Sequence, residues 1–259
     1  MLIARDIVVK HRRRTILHGL LFRAEAGQVT AIIGPSGAGK STLLGTLSGD
    51  QPFEGRITLN GRDIRGARPA EMARQRAVLP QAMPMAFPFT VAEVVRLGLH
   101  EAMALPHVVA QALGRVGLAG REAALFQELS GGEQQRVHLA RVLAQVWAPV
   151  TGGAPRWLLL DEPVSSLDIG HQLQVMAIVR AFAGQGGGVV MVMHDLNLTA
   201  MSADSVALMQ AGRIVAQDRP GAVFTDALLG AAYGCAVAVN RTPRDCAYVL
   251  PQVAGGPGG

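Results

Sequence analysis

The apolar positions of this chain come in short runs separated by glycine, proline and charged residues. Leu2 to Val9 and Ile16 to Arg23 read as two strands around a solvated basic turn, Arg12-Arg13-Arg14. Gln28 to Ile33 reads as a buried strand. Gly55 to Leu59, Asn60-Gly61 and Arg62 to Ile64 carry the signature of a tight antiparallel hairpin. Ala77 to Leu79 is a short buried strand that stops at Pro80-Gln81, and Pro84 and Pro88 keep the next segment out of any helix, which predicts a stiff loop after Gln81.

Helical signals dominate the middle of the chain. Thr90 with Glu93 forms a capping box, worth about 1 kcal/mol, that starts a helix running to about Leu99. Pro106 suits the first turn of a second helix through Val116, and a third segment, Arg121 to Leu129, leads to Ser130-Gly131-Gly132. Ser130 caps a helix through Gln145, and Ala148 to Arg156 reads as a surface loop. Residues 82–150 therefore form a helical subdomain, set into a unit made of 1–81 and 151–259.

The second half returns to alternating strand and helix. Trp157 to Leu160 is a buried parallel strand ending in Asp161-Glu162, Ile169 to Ala183 is helical in period, and Gly188 to Met193 is a buried strand ending at His194-Asp195. Val206 to Met209, Ala211-Gly212 and Ile214 to Ala216 form a hairpin, and Ala222 to Ala232 reads as a helix. Val237 to Val239 and Tyr248 to Leu250 are candidate strands, and Gly255 to Gly259 reads as a disordered tail. The expected fold is α/β, with an antiparallel part near the N-terminus.

A chain of 259 residues, 49% hydrophobic, can bury a large core. No apolar run approaches the roughly 18 residues needed to span a bilayer, and the N-terminus lacks a secretory h-region, so a cytosolic location is expected. Cys235 and Cys246, the only cysteines, suit free thiols. The net charge of +5 comes from scattered arginines, which argues against nucleic acid and leaves room for attraction to anionic lipid or an acidic partner.

The chemistry centres on Gly34-Pro35-Ser36-Gly37-Ala38-Gly39-Lys40-Ser41-Thr42, between a strand and a helical segment. Glycines there let consecutive N–H groups point inward, and the helix N-terminus behind them favours an anion. Lys40 can reach β and γ phosphates and the Ser41 hydroxyl can ligate magnesium. The chain has only two lysines, Lys10 and Lys40, so a lysine here looks chosen for its compact charge. Asp161-Glu162 at a strand's C-terminal end would face the ligand crevice of an open α/β sheet.

Together with Leu158 to Glu162 and Leu129-Ser130-Gly131-Gly132-Glu133, this loop makes nearly the whole chain resemble the ATP-binding cassette ATPases, whose core is a P-loop NTPase. The resemblance implies that Asp161 holds the water shell of a Mg2+ ion bound directly by Ser41, and that Glu162 accepts a proton from the attacking water. It implies that Gln81 orients that water or ligates the metal, and that His194 is a switch residue on the γ phosphate. It further implies a head-to-tail pair of subunits, in which Ser130, Gly131 and Gly132 of one close over the Lys40 loop of the other, with Asp168 in the loop between them. Departures from the family are Val9, or His11, where an adenine-stacking aromatic is usual, Glu133 for glutamine, and Val164 for threonine. The last two are expected to be peripheral to the chemistry.

The resemblance points to an importer ATPase at the cytoplasmic face of the inner membrane, with a permease dimer and, indirectly, a periplasmic binding protein as partners. Met83, Met85, Phe87 and Phe89 are expected to be exposed as an apolar socket for the permease. Ala86 to Val91, the loop before Trp157, His194 to Asn197 and the tail after Pro220 look like subunits importing haem, siderophores or cobalamin, haem first. A soluble cassette ATPase acting on nucleic acid or ribosomes normally has two cassettes or a coiled-coil insertion, and this chain shows neither. A metabolic P-loop kinase leaves Ser130 to Glu133 unexplained.

Overall fold

The structure, a computed structural model, describes residues 1–81, 83, 85, 87–99, 106–242 and 247–251. The chain opens with β1 (Leu2–His11), β2 (Arg14–Ala24), β3 (Val29–Ile33), α1 (Lys40–Leu47), β4 (Glu54–Leu59), β5 (Arg62–Asp63), α2 (Pro69–Gln75) and β6 (Arg76–Leu79). Next come α3 (Val91–Arg96), α4 (Pro106–Arg115) and α5 (Gly131–Gln145), with a 3-10 turn at Phe126–Glu128 before the last. The rest is β7 (Val150–Thr151), β8 (Ala154–Pro155), β9 (Trp157–Asp161), α6 (Ile169–Gly184), β10 (Gly188–Val192), α7 (Leu196–Ser202), β11 (Ser205–Gln210), β12 (Arg213–Asp218), α8 (Pro220–Val223) and α9 (Asp226–Tyr233).

Two main sheets result. An antiparallel one has the order β2-β1-β4-β5, and its β4–β5 turn has φ 52° at Asn60 and 80° at Gly61, the left-handed pair that Asn-Gly accommodates. The other has the order β12-β11-β3-β10-β9-β6, parallel except for β12. Every residue of β3, β9 and β10 is buried, as expected of central strands covered on both faces. Leu160 pairs with both Leu79 and Met191, and Val192 with Ile32, so the loops after β3, β6, β9 and β10 emerge at one edge of the sheet. Helices α3, α4 and α5 pack on one another, and their apolar faces share a core with Ala77, Leu79, Leu158 and Leu160. A second core joins the two sheets through Leu2, Phe22, Ile57, Leu43 and Trp157.

Several expectations are corrected. Helix α3 ends at Arg96 rather than Leu99, because the chain must run close to α5: a Cβ on Gly98 would sit 2.2 Å from the Arg141 carbonyl oxygen. The expected loop at Ala148–Arg156 contains the hairpin β7–β8, turned by Gly152 (φ 58°) and Gly153 (φ 75°). The helix expected over Ala222–Ala232 is two pieces, since Thr225 caps a new one by accepting from the Leu228 N–H at 3.2 Å. Val237–Val239 and Tyr248–Leu250 form no strand; Val239 instead bonds the Asp226 carboxylate at 2.8 Å. Helices α2 and α7 were not anticipated, although α2 has proline at its start and Asp195 caps α7. Pro84, Ala86, Cys246 and Gly255–Gly259 lie outside the described residues, and Cys235 is an exposed free thiol. Among the described residues no helix is long and apolar enough to cross a membrane.

Candidate functional site

At the edge where β3 ends, the backbone turns through Gly34, whose φ is 146° and where a Cβ would lie 2.1 Å from the Met209 carbonyl oxygen. Only glycine fits. Gly39, with φ 98°, then delivers the chain into α1. Lys40 opens that helix 6% exposed, and its Nζ donates to the carbonyls of Gly34 at 2.8 Å and Pro35 at 3.0 Å. Burial pushes its pKa down, opposed by the carboxylates of Glu162 and Asp161.

Ser41 Oγ donates to Asp161 Oδ1 at 3.3 Å, which joins α1 to the end of β9. Burial raises the Asp161 pKa and neighbouring Glu162 raises it further, while the Ser41 hydrogen bond and Lys40 lower it. Glu162 has φ 50°, an uncommon conformation for a residue with a side chain, costing on the order of 1–3 kcal/mol. It is held there by its N–H to the Val192 carbonyl at 3.2 Å and by the Ser165 hydroxyl on its own carbonyl at 3.0 Å. Its Oε1 consequently lies 2.6 Å from Nε2 of His194, the second residue after β10. An open cleft of about 430 Å³ runs over these groups, lined by Arg14, Ile16, Ser36, Lys40, Glu162 and His194 among others.

The donor set suits Mg2+. Among the described residues no three His, Cys, Asp or Glu side chains converge to cage a metal. Ser41 and Asp161 instead offer two hard oxygen ligands, as expected for an ion that keeps waters and takes phosphate oxygens. Two adjacent acids beside one lysine also leave negative charge for a cation to neutralise.

Other candidate residues lie outside this cleft. Gln81 is exposed, two residues beyond Leu79, so it emerges at the same sheet edge as Asp161 without lining the cleft. Ser130 caps α5 in a full capping box: Glu133 Oε2 accepts from the Ser130 N–H at 2.9 Å and its hydroxyl at 2.8 Å, and these bonds lower the Glu133 pKa. Glu133 is thus the residue that orients Ser130. Gly132 lies against the Ser166 carbonyl, where a Cβ would come within 3.2 Å. Asp168 caps α6, accepting from the His171 N–H at 2.9 Å and contacting the His171 ring at 2.7 Å, which lowers its pKa.

Of the two positions expected where the stacking aromatic is usual, Val9 is buried, 3% exposed within the core. His11 is exposed, paired across the strands with the cleft-lining Arg14 but not itself part of the lining. Arg14 and Ile16 line the cleft instead, so only Arg12 and Arg13 of the basic run form the turn. The basic run itself was the signal that could have found Arg14. Of the four residues expected to be exposed after Gln81, only Phe87 is, at 68%; Met85 and Phe89 pack on the core and Met83 is half-buried.

The ABC transporter family pattern matches residues 17–165. The chain is 58% identical to the hemin import ATP-binding protein HmuV of Roseobacter denitrificans over 254 residues, covering 97% of each chain. It is 56% identical to the protein of the same name from Jannaschia sp., covering 100% of this chain and 97% of that one. Among solved structures, a bacterial Atm1-family ABC exporter with ATP bound matches with a TM-score of 0.75 and 28% identity, over 86% of this chain and 39% of that one. An ATP binding subunit of an ABC transporter matches with a TM-score of 0.76 over 90% of this chain and 95% of that one; at 23% identity it bears on the fold alone.

Proposed function

Because this chain belongs to the ABC transporter family, we propose that it is the ATP-hydrolysing subunit of an importer whose cargo is haem. The observation that carries the reading is the meeting of Lys40, Ser41, Glu162 and His194 at one cleft, with Asp161 bonded to Ser41 beside it, in a chain alike to hemin import subunits over nearly its full length. The backbone N–H groups of Ser36 to Thr42 and the Lys40 ammonium receive the β and γ phosphates. Ser41, and Asp161 through water, would hold a Mg2+ ion, which would supply neutralising charge for the phosphates. Glu162 takes a proton from the water that attacks the γ phosphorus, with His194 and Gln81 positioning. Arg14 and Ile16 line the same cleft and are available to contact the base and ribose.

The units 1–81 with 151–259 and 82–150 divide the labour, the first holding ATP and the second carrying Ser130. Ser130, Gly131, Gly132 and Asp168, which do not line their own chain's cleft, serve the cleft of a second copy, head to tail, as the family resemblance implies. Ser130→Arg should leave ATP binding by the monomer intact and abolish ATP-driven dimerisation in a Glu162→Gln background, as read by light scattering. A persisting ATP-induced dimer would refute the arrangement.

The subunit works at the cytoplasmic face of the inner membrane against a permease dimer, fed by a periplasmic binding protein. Phe87, with its ring edge-on to Phe89 at 6.2 Å, supplies an apolar contact for the permease, worth about 1.5–3 kcal/mol if fully buried. In vesicles containing the permease, Phe87→Ser should lower haem uptake and its stimulation by loaded binding protein together, with basal ATPase of the isolated subunit retained. Wild-type uptake by the variant would move the contact elsewhere, and failure of the wild-type complex to take up haem would overturn the cargo.

A further inference from the structure

One face of α5 is polar where burial would ordinarily favour an apolar stripe. Gln134, His138, Arg141 and Gln145 recur at i, i+4, i+7 and i+11, so they line up along one side of the helix. Each donates to backbone carbonyls. Gln134 Nε2 bonds Phe126 and Leu129 at 3.3 and 3.1 Å, Arg141 Nη2 bonds Val78 at 3.2 Å, and Gln145 Nε2 bonds Ala73 and Arg76 at 2.9 and 3.0 Å.

His138 stands at the centre of this row, 5% exposed, its ring tilted against Phe126 at 5.0 Å. It bonds the backbone of Met83, and since that bond favours the protonated ring, the ring nitrogen donates and the Met83 carbonyl accepts. Burial, with nearby Arg141, holds its pKa down to about 4, so the ring is neutral at physiological pH. Its Nδ1 has no hydrogen-bond partner among the described residues. A buried imidazole with one bare nitrogen is a poor choice for packing alone, because leucine would fill such a site without an unsatisfied polar atom.

The two backbone carbonyls clasped by His138 and Arg141, those of Met83 and Val78, bracket Gln81 in sequence. The helix that clasps them begins directly after Ser130. We propose that His138, in this row of donors, is a positioning residue that sets Gln81, at the sheet edge beside the nucleotide cleft, relative to Ser130 at the subunit face, so that the two shift as one. The inference rests on the ATPase reading above. His138 itself touches neither nucleotide nor metal; it acts through the segment around Gln81.

The test compares His138→Leu, which removes the donor at similar volume, with His138→Gln, whose amide can donate to the same carbonyl. In His138→Leu we expect unchanged ATP affinity, a denaturation midpoint equal to or above that of the wild type, and a kcat lower by roughly five- to tenfold, the value of one lost hydrogen bond. In the Glu162→Gln background it should need correspondingly more ATP to dimerise. His138→Gln should restore both quantities. Wild-type kcat and dimerisation in His138→Leu overturn the proposal, and so does a glutamine variant as defective as the leucine one, because the ring would then matter for shape alone. Should His138→Leu fail to fold, Arg141→Met against Arg141→Lys decides in the same way, lysine retaining a donor for Val78 and methionine none. Absence of hydrolysis by the unaltered chain would refute the ATPase reading instead, so the two failures are distinct.

Discussion

Glu162→Gln is expected to bind Mg-ATP and to hydrolyse it at least about 10²-fold more slowly, the low end of what a general base contributes. The substitution preserves side-chain shape. It can keep the strained backbone at φ 50° and a hydrogen bond to His194, which now stands at 2.6 Å. What it removes is the group that takes the proton. It also removes one negative charge from a site where Glu162 raises the pKa of both Lys40 and Asp161, so ATP affinity should be kept or improved. Single-turnover phosphate release together with a nucleotide titration separates the two effects. Turnover close to that of the wild type would remove Glu162 from the role of base, and a large loss of ATP affinity would mean that the residue organises the cleft rather than the proton.

Lys40→Ala is expected to weaken ATP binding by roughly 10²-fold, since charge-assisted hydrogen bonds contribute about 1.5–3 kcal/mol each. The side chain lies 6% exposed and directs its ammonium group at the carbonyls of Gly34 and Pro35, within the loop expected to receive the phosphates. Alanine strips out that charge and leaves both carbonyls short of a donor. Lys40→Arg should not rescue, because a planar guanidinium is too wide for the niche and cannot act as a compact point charge. Nucleotide titration with circular dichroism as a folding control gives the answer. An unchanged Kd would show that backbone amides alone hold the phosphates.

Much of this architecture was legible because its determinants are close together in sequence. Asn60-Gly61, the Thr90–Glu93 box and the helix from Ser130 to Gln145 stand as expected, since a turn or a cap is satisfied by residues two to four apart. The strand, glycine loop and helix around Lys40 were equally readable, because all the pieces of that anion site are contiguous. The missed helices α2 and α7 are each seven residues long, too short for a periodic pattern to separate from a loop.

The amino-acid sequence by itself determined the fold class, the phosphate loop, and the acidic pair placed at a strand end. Only the tertiary structure decided which side chains share the cleft. Irregular pairing of β1 with β2, at Ala4/Ile7, Ile7/Val8 and Val9/Lys10, sends Val9 into the core while Arg14 and Ile16 line the cleft. In a strand successive side chains face opposite ways, so each irregularity can reverse the facing of the residues beyond it, and no local pattern announces it. Parallel pairing of β9 with β10 brings Glu162 within 2.6 Å of His194, and the packing of α5 brings His138 to Met83. These meetings depend on the register of strands and helices that are remote in the chain. Register is set by the burial of whole faces, a property of the folded molecule that no short stretch of sequence contains.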